Sequence, residues 1–595
     1  MNKKEILQKI KSLDTLNTGE KAYLVNLVNT TKKYGLVWED KPEDVEEELR
    51  TKLPILKEVK ERAINNDTET EKHPNHILIE GDNLHALTTL TFTHEGKIDV
   101  IYIDPPYNTG NNDFIYNDRY VDKEDGYRHS KWISFMQKRL KIAHKLLKED
   151  GVIFISIDDN EQAQLKMLCD EIFSENNFVA KFDWRKKTGA NDAKAIAVVT
   201  ETVLLYSKNF STTIENNIWA RDESSINQKR YKLSDNYFDK RGKYYLDTLD
   251  RGGLQYSDSM NFGIKAPDGG IIYPNGRSEF LNDGWIWKWG KEKVEWGLEN
   301  DFLEFVKSKK SKGSKFTIKY KVYQKVDNKG NFRDNLGRAF FNLITDPINQ
   351  QGKSDISNVF DGISPFSNPK PLGLIKYLMN CINKKDYSIL DFFAGSGTTL
   401  HTTMELNKED NGNRNCILVT NNENEIAEKV TYERNKRVIK GYTDSKGKTV
   451  DGLKNNNLRY YKCDYAERKP SLKNKKELTY LATELLCIKE NCYQEVTASI
   501  LKANWHKLFT NSNNSFVYVI YDDFYIEEAI EALTNFIENT KNATIKVYVF
   551  SNGQYAYAEE FENIAANITL AALPDAIYKA YQNVLPKEIT YNVIS

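Results

Sequence analysis

Apolar and polar residues alternate in two rhythms along residues 71–210. Short apolar runs, such as Val100-Ile101-Tyr102-Ile103 and 152–157, have the length and the β-branched content of buried strands. Between them, at about 130–147 and 161–173, apolar residues recur every three or four positions, which is the spacing of an amphipathic helix. Strands that alternate with helices of this length predict a parallel, doubly wound α/β sheet.

The same rhythm returns in residues 346–467, where a helix at about 371–381 precedes strands at 387–390 and 416–419. The intervening residues, 211–345, break the rhythm and are rich in Tyr, Trp, Lys, Asn and Gly, with only short alternating stretches. We therefore predict two halves of one α/β domain, separated by an inserted domain of mixed, mostly β structure.

The two ends of the chain have patterns of their own. Residues 1–70 carry helix-like apolar spacing and predict an N-terminal helical segment. Residues 468–595 predict a small α/β domain without a catalytic cluster, built from a helical stretch at about 475–507, strands at 516–521 and 545–550, and a helix at 526–537.

Composition narrows the classes of protein that fit this pattern. A formal net charge of −1 over 595 residues excludes a global basic field, so any contact with nucleic acid must come from local patches. The six cysteines are scattered, with no pair at zinc-ligand spacing, which predicts no metal site and a reducing compartment. Since no run of about 18 apolar residues occurs, we expect a soluble, cytoplasmic protein.

The first chemical candidate is the turn Asp104-Pro105-Pro106-Tyr107, which directly follows the apolar run that ends at Ile103. In open α/β sheets, ligands bind beyond the carboxyl ends of the strands. The prolines hold the backbone rigid, so a carbonyl and the Asp104 carboxylate can serve as two acceptors beside the flat ring of Tyr107. This set suits the exocyclic amino group of a planar base. The alternative is an ordinary turn at the end of a strand.

The second candidate follows the strand at 387–390, where Gly395-Ser396-Gly397 leads into a helix. Glycines at such a point let the backbone approach a ligand closely at the N-terminus of the helix. A third glycine at the Rossmann position is absent, which disfavours a dinucleotide cofactor.

Together, Asp-Pro-Pro-Tyr at 104–107 and Asp-Phe-Phe-Ala-Gly-Ser-Gly-Thr-Thr at 391–399 resemble the catalytic and S-adenosylmethionine motifs of the amino-directed DNA methyltransferases. The catalytic motif comes first and the inserted domain lies between the two, as in the permuted β class. With its length and C-terminal extension, the chain is most similar to the modification subunit of type III restriction-modification systems. The resemblance covers roughly residues 70–465. It implies a permuted, Rossmann-like methyltransferase sheet with an inserted target-recognition domain at 211–345.

The resemblance also implies which residues bind S-adenosylmethionine. Asp82, which follows the strand before the catalytic one, matches an acidic position near the adenine of the cofactor, and Glu423 matches one near its ribose. Both could instead be solvated carboxylates at strand ends. The remaining implied cofactor residues are Asp391, Phe392, Phe393, Ala394, Gly395, Ser396, Gly397, Thr398, Thr399 and, from the segment 368–371, Lys370.

For the reaction, the resemblance implies methylation of adenine N6 after the base is flipped out of the duplex. Tyr107 would stack on the base, while Asp104 and the carbonyl of Pro105 would accept hydrogen bonds from its amino group and orient it for direct in-line transfer. Methylation of cytosine C5 needs a cysteine nucleophile, and the chain has no Pro-Cys dipeptide. Cytosine N4 remains open, although a first-position Asp favours adenine over cytosine in the family.

Double-stranded DNA is therefore the expected substrate, and a lysine-rich stretch of the inserted domain supplies a cationic stripe for its phosphates. These lysines are Lys307, Lys309, Lys310, Lys312, Lys315, Lys319, Lys321 and Lys325. By analogy, the C-terminal domain would serve a homodimer or dock a helicase-nuclease restriction subunit. The alternatives are a solitary DNA methyltransferase, an RNA methyltransferase with the same pocket, and a non-enzymatic DNA-binding scaffold.

Overall fold

The computed structural model describes residues 36–586 apart from gaps at 69–71, 112, 118, 190–194, 254, 310, 334–336, 512–513 and 541, together with a few residues between 9 and 24. The chain forms two compact units: a large one of Met1–Trp219 and Phe341–Ser595, and a small one of Ala220–Phe340. The small unit falls where the inserted domain was predicted.

The large unit alternates strands and helices along most of its length. Its principal strands are β1 (Lys52–Glu58), β2 (Asn75–Glu80), β3 (Ile98–Ile103), β4 (Leu147–Ile157), β5 (Phe178–Arg185), β6 (Thr200–Ser207), β7 (Leu343–Ile344), β8 (Ser388–Asp391), β9 (Asn415–Thr420), β10 (Asn457–Glu467), β11 (Gln494–Glu495), β12 (His506–Thr510), β13 (Ser515–Ile520), β14 (Thr544–Phe550) and β15 (Ile568–Leu573).

Its α-helices are α1 (Asp44–Thr51), α2 (Asn83–His94), α3 (Arg128–Leu146), α4 (Gln162–Phe173), α5 (Phe210–Glu215), α6 (Asn349–Val359), α7 (Leu372–Met379), α8 (Thr398–Asp410), α9 (Glu433–Lys440), α10 (Leu472–Leu481), α11 (Thr483–Glu490), α12 (Ile526–Asn539) and α13 (Asp575–Tyr581). A π-helix, Ile426–Tyr432, leads into α9. None of the described helices is both long and apolar enough to cross a membrane.

The main sheet has ten strands in the order β1-β10-β2-β9-β8-β3-β4-β6-β5-β7. The six strands from β10 to β4 run parallel, and every residue of β3 is buried, as expected where both faces of a sheet are covered. The predicted α/β class is therefore confirmed.

The prediction of a parallel sheet is wrong toward both edges, because β6 runs antiparallel to both β4 and β5, and β1 runs antiparallel to β10. A parallel neighbour needs a crossover, usually a helix, and the described residues between β5 and β6 contain none. The strand β5 was not predicted, and without it the rhythm of helix and strand looked like one more crossover unit.

The small unit contains a three-stranded antiparallel sheet in which Phe316–Tyr323 lies between Tyr244–Thr248 and Leu303–Lys307. Its core is aromatic, with Trp287, Trp289 and Tyr323 buried. The other short strands are Arg221–Asp222, Asp250–Gly252, Ile264–Lys265, Ile271–Ile272, Trp285–Trp287 and Arg338–Ala339, and its α-helices are Phe238–Arg241 and Lys291–Glu299. The unit is mixed and mostly β, as the sequence pattern indicated.

The ends of the chain differ from their predictions. Most of residues 1–35 lies outside the described residues, and within 36–70 the helix α1 is followed by the strand β1 rather than by more helix. The predicted helix at 475–507 stops at Glu490, because Asn491 adopts a left-handed conformation that ends α11.

The C-terminal region forms a five-stranded sheet, β11 to β15 in sequential order. This sheet is not detached from the main one. Val517 and Tyr548 of the C-terminal sheet belong to the same hydrophobic cluster as Leu390 of β8. The C-terminal region is therefore packed into the large unit.

Candidate active site at the carboxyl edge of the sheet

Four adjacent parallel strands, in the order β2-β9-β8-β3, end at the same edge of the sheet. Because parallel strands share one direction, the residues that follow Glu80, Thr420, Asp391 and Ile103 converge there. A cavity of about 510 Å³ lies at this edge, and residues from all four strand ends line it. The two candidate motifs, far apart in sequence, thus open on one cavity.

The lining of the cavity is acidic and aromatic. Its carboxylate residues are Glu43, Asp44, Asp82, Asp104, Asp113 and Glu423, and its aromatic residues are Phe114, Tyr116, Tyr120, Phe135, Phe366, Phe392 and Phe393. Among the described residues that line the cavity, none is Lys, Arg or His. The site therefore suits a ligand that carries positive charge and a flat ring, and it disfavours phosphates.

The Asp-Pro-Pro-Tyr turn presents Asp104 and both prolines to this cavity. Asp104 Oδ1 accepts a hydrogen bond from the hydroxyl of Tyr107 at 2.7 Å, and its Oδ2 lies 3.0 Å from Lys370 Nζ. The indole of Trp132 in α3 donates to the carbonyl of Pro106 at 2.7 Å. The turn is thereby fixed from both sides, with the carboxylate of Asp104 in a defined orientation.

Tyr107 does not line the described part of the cavity. Its hydroxyl contacts Glu201 Oε2 at 3.3 Å as well as Asp104, and it accepts a hydrogen bond from Lys370 Nζ at 2.9 Å. Burial, together with the two carboxylates, raises the pKa of Tyr107 well above its ordinary value. The tyrosine hydroxyl therefore stays protonated and acts as a donor that holds the turn together.

Lys370, assigned from sequence to the cofactor, joins the glycine loop to the Asp-Pro-Pro-Tyr turn: its carbonyl accepts a hydrogen bond from the Thr398 hydroxyl at 3.2 Å, and its ammonium lies beside Asp104. Burial favours a lower pKa for this lysine, but Asp104 and Glu201 outweigh burial and raise it. Conversely, Lys370 and Lys186 lower the pKa of Glu201 although burial acts in the opposite direction. The result is an alternating row of charges, with Lys186 3.0 Å from Glu201 and Lys370 between Glu201 and Asp104.

The sequence did not indicate Glu201 as a site residue. Glu201 lies at the start of its strand, and in a parallel sheet the starts of the strands lie at the edge opposite the site. It is the second residue of β6, which runs antiparallel, so its start lies beside the ends of β3 and β4. Only the direction of this strand brings the glutamate to the site.

The glycine loop, residues 391–399, requires glycine at two positions. Gly395 and Gly397 have φ angles of 48° and 74°, in the left-handed region. A Cβ at Gly395 would lie 3.2 Å from the ring of Phe366, and one at Gly397 would lie 2.5 Å from Asn435 Nδ2. Only Gly395 of the two lines the cavity.

Asp391 supports this loop from inside rather than facing the cavity. Its carboxylate accepts hydrogen bonds from the backbone N–H of Phe393 at 3.0 Å and from the Thr399 hydroxyl at 2.6 Å. Burial raises the pKa of Asp391 to about 7. Four other predicted loop residues, Ala394, Ser396, Thr398 and Thr399, are buried and do not line the cavity, whereas Phe392 and Phe393 do.

A buried guanidinium that the sequence did not reveal lies beneath the loop. Arg434 of α9 donates through Nη1 to the carbonyl of Ser396 at 3.2 Å and to the Thr398 hydroxyl at 2.8 Å. Burial lowers its pKa to about 10, so it remains charged at neutral pH. Arg434 is one of several charged residues in its helix, so the sequence did not indicate that it is buried beneath the loop.

Asp82 and Glu423 both line the cavity. Asp82 also caps α2 by accepting from the backbone N–H of Leu84 at 2.7 Å, and it lies 3.4 Å from the buried Arg139. Arg139 in turn pairs with Glu43 at 2.8 Å. One wall of the cavity therefore comes from the start of α1, in a segment to which the sequence assigned no chemistry.

Comparisons with known proteins agree on one family. The family model N6_N4_Mtase, described as DNA methylase, matches residues 98–443. The chain is 32% identical over 399 residues to the type III restriction-modification enzyme StyLTI Mod subunit of Salmonella typhimurium, covering 62% of the chain and 56% of that protein. It is 33% identical over 382 residues to the type II methyltransferase M.KpnI of Klebsiella pneumoniae, covering 62% of the chain and 85% of that enzyme.

Among solved structures, the chain is similar to the PvuII DNA methyltransferase, which is cytosine-N4-specific. The match covers 64% of this chain and 98% of the PvuII chain, with 12% sequence identity and a TM-score of 0.31. The match to the StyLTI Mod subunit spans little more than half the length of that relative.

Proposed function

Because the chain belongs to the N6/N4 DNA methylase family, as its sequence resemblance indicated, we propose that it methylates an exocyclic amino group in DNA, with adenine N6 as the acceptor. The observation that carries this proposal is the shared cavity. The carboxylate of Asp104 and the glycine loop at Gly395 open on the same space, although 290 residues of sequence separate them. An amino group held by Asp104 would therefore lie beside whatever the glycine loop binds.

The proposed methyl donor is S-adenosylmethionine, and the residues of the cavity fit it. The donor carries positive charge at its sulfonium and amino groups. This charge matches the lining of the cavity, whose described residues include six carboxylates and no Lys, Arg or His. When bound, it supplies an electrophilic methyl group. The carboxylates of Asp82 and Glu423 would accept hydrogen bonds from its adenosine part, and Phe393 would pack against it. Gly395, which has no side chain, would let the donor approach the backbone closely.

The proposed role of the catalytic turn follows from the weak nucleophilicity of an aromatic amino group. Hydrogen bonds from the amino N–H groups to Asp104 and to the Pro105 carbonyl would orient the nitrogen lone pair toward the methyl group. Lys370, 3.0 Å from Asp104 Oδ2, holds that carboxylate in place. The first-position Asp supports adenine N6 rather than cytosine N4, on the pattern of the family motif.

A base inside duplex DNA cannot reach Asp104, so the proposed reaction requires base flipping. Tyr107 is proposed to support the flipped base, with its hydroxyl fixed by Asp104.

We propose the small unit as the target-recognition domain. Among its described lysines, Lys307, Lys309, Lys312, Lys315 and Lys325 are exposed and available to phosphates, whereas Lys321 is buried against Asp235 and Asp301 and leaves the stripe. Lys310 lies outside the described residues.

We further propose that the protein is the modification subunit of a type III restriction-modification system, because it shares 32% identity with such a subunit over 399 residues. On this proposal, the chain would form a homodimer and bind a restriction subunit. Light scattering of the purified chain would test the dimer, and co-purification with the product of an adjoining helicase-nuclease reading frame would test the partner. A monomer without such a neighbour would indicate a solitary enzyme.

The central experiment uses duplex DNA of several kilobases made by PCR, which carries no methyl groups and contains many different short sequences. The protein is incubated with this DNA and methyl-labelled S-adenosylmethionine, and the DNA is then digested to nucleosides. We expect labelled N6-methyladenine with the wild type and none with Asp104→Ala. The control is Asp386→Ala, which removes an exposed carboxylate just before β8, at the amino edge of the same sheet.

Labelled N4-methylcytosine in the same digest would make the adenine assignment wrong while leaving the methyltransferase intact. Absence of label in DNA from the wild type would refute the proposed function. Equal label with Asp104→Ala and Asp386→Ala would show that the reaction does not depend on the catalytic turn.

A further inference from the structure

A buried hydrogen-bond cluster lies immediately behind the catalytic turn. Asn108, the residue after Tyr107, has a φ of 56° and is 1% exposed. Its side-chain Nδ2 donates to Glu161 Oε1 at 2.6 Å and to the carbonyl of Arg128 at 3.2 Å. The left-handed backbone at this point sets the direction in which the chain leaves the turn, and these two bonds hold it.

Glu161 is the centre of this cluster. It is completely buried, at the N-terminus of α4, and the same Oε1 lies 2.6 Å from Nδ1 of His129 in the first turn of α3. Arg128 donates to the other ring nitrogen, Nε2, at 3.2 Å, so the proton of a neutral His129 ring is on Nδ1, which donates to Glu161. One carboxyl oxygen therefore joins the catalytic turn to α3.

The charges around Glu161 do not form an ordinary ion pair. Burial and the neighbouring Arg128 lower the pKa of His129, so the ring is neutral at neutral pH. Burial raises the pKa of Glu161 to about 8 and Asp158 adds to this, while Asn108 and Arg128 act against it. Gln164, at 3.5 Å from His129 Nδ1, faces the same cluster from α4.

Helix α3 holds the catalytic turn at two points. Trp132 donates to the carbonyl of Pro106, and Asn108 donates to the carbonyl of Arg128. Glu161 ties Asn108 to the same helix through His129, but it does not line the described cavity. Its Oε2 and the Oδ1 of Asn108 are buried and have no hydrogen-bond partner among the described residues.

We propose that Glu161 is a positioning residue for methyl transfer: through Asn108 it fixes the Asp-Pro-Pro-Tyr turn against α3 without touching the substrate. This rests on the proposed function of that turn. A displacement of about 1 Å at a reacting group can cost about 100-fold in rate, so the effect should appear in kcat. Binding of S-adenosylmethionine should change little, because none of the three residues Asn108, His129 and Glu161 lines the cavity.

The test compares Glu161→Ala, Glu161→Gln and Asn108→Ala in the full-length protein. Glutamine keeps a carbonyl oxygen for the two N–H donors, whereas alanine keeps none. We expect Glu161→Ala and Asn108→Ala to lower kcat by about tenfold or more, with Kd for S-adenosylmethionine within about twofold of the wild type. The double alanine variant should be no slower than the worse single one, since both act through one bond. Glu161→Gln should restore most of kcat.

Hydrogen exchange provides a readout that does not need activity. Amides of residues 107–111 should exchange faster in Glu161→Ala than in the wild type, and at the wild-type rate in Glu161→Gln. Wild-type kcat in Glu161→Ala, or additive losses in the double variant, would overturn the proposal. So would a loss of cofactor binding equal to the loss of kcat. If the wild type itself transfers no methyl group, the proposed function fails, and unchanged exchange in Glu161→Ala would then refute the positioning role separately.

Discussion

The buried carboxyl of Glu161 makes a quantitative prediction about stability and pH. Its pKa is about 8 in the folded chain, against 4.5 for an ordinary glutamate. Between these two values the native state binds one proton more than the unfolded state, so the free energy of unfolding falls as pH rises through this window. Glutamine cannot ionise and removes this dependence.

The size of the effect follows from the shift. One pH unit within the window corresponds to about 1.4 kcal/mol, so Glu161→Gln should gain about 3 kcal/mol relative to the wild type between pH 5.5 and 7.5. This gain adds to a constant offset from the altered hydrogen bonds. Urea unfolding of both proteins at several pH values measures the difference directly.

Glu201→Gln is the matched control, because Glu201 is a buried glutamate whose pKa is lowered rather than raised. Its contribution to stability is present above the pKa of the unfolded chain and is lost only as pH falls below it, so its difference from the wild type should be flat between pH 5.5 and 7.5. If the Glu161→Gln difference were equally flat, the buried carboxyl would not hold a proton in the folded chain, and the electrostatic reasoning would be wrong.

Three further substitutions test the parts of the site separately. Lys370→Met should lower kcat by about tenfold or more, because Asp104 and Glu201 lose their shared cation, yet it should leave Kd for S-adenosylmethionine within about threefold; an unchanged kcat in labelled methyl transfer would refute this. Gly395→Ala should weaken cofactor binding about tenfold by calorimetry, since φ is 48° and the new Cβ would meet Phe366; wild-type affinity would show that the loop can adjust. Arg434→Met should also raise the Kd of the cofactor, with little change in kcat at saturation, because it removes the bonds that hold Ser396 and Thr398; a loss of kcat alone would contradict this assignment.

Much of the fold could be read from local patterns. Burial imposes a characteristic spacing of apolar residues on each strand and helix. This spacing predicted the strands at 98–103 and 415–420 and the helix at 128–146. The direction of β6 had no such signal, because a buried strand has the same composition in either direction. The strand β1 was missed because the helix-like spacing of residues 6–27 was extended to the whole of residues 1–70.

For the candidate site, the sequence by itself determined the groups whose chemistry is carried by a short stretch of chain. Asp104 with its prolines, and Gly395 with its left-handed backbone, are recognisable because rigid turns and glycines constrain the backbone locally. Asp82 and Glu423 were implied by the family resemblance rather than by such local constraints, and both line the cavity.

Only the tertiary structure decided which residues those groups meet. The ammonium of Lys370 pairs with Asp104, Glu201 reaches the site from an antiparallel strand, and Glu43 lines the cavity from a segment outside the repeating pattern. Glu161 is joined to Asn108 across 53 positions of sequence. Ion pairs and hydrogen bonds of this kind depend on distances of about 3 Å between atoms from separate elements, and a linear pattern of polar and apolar residues does not encode such distances.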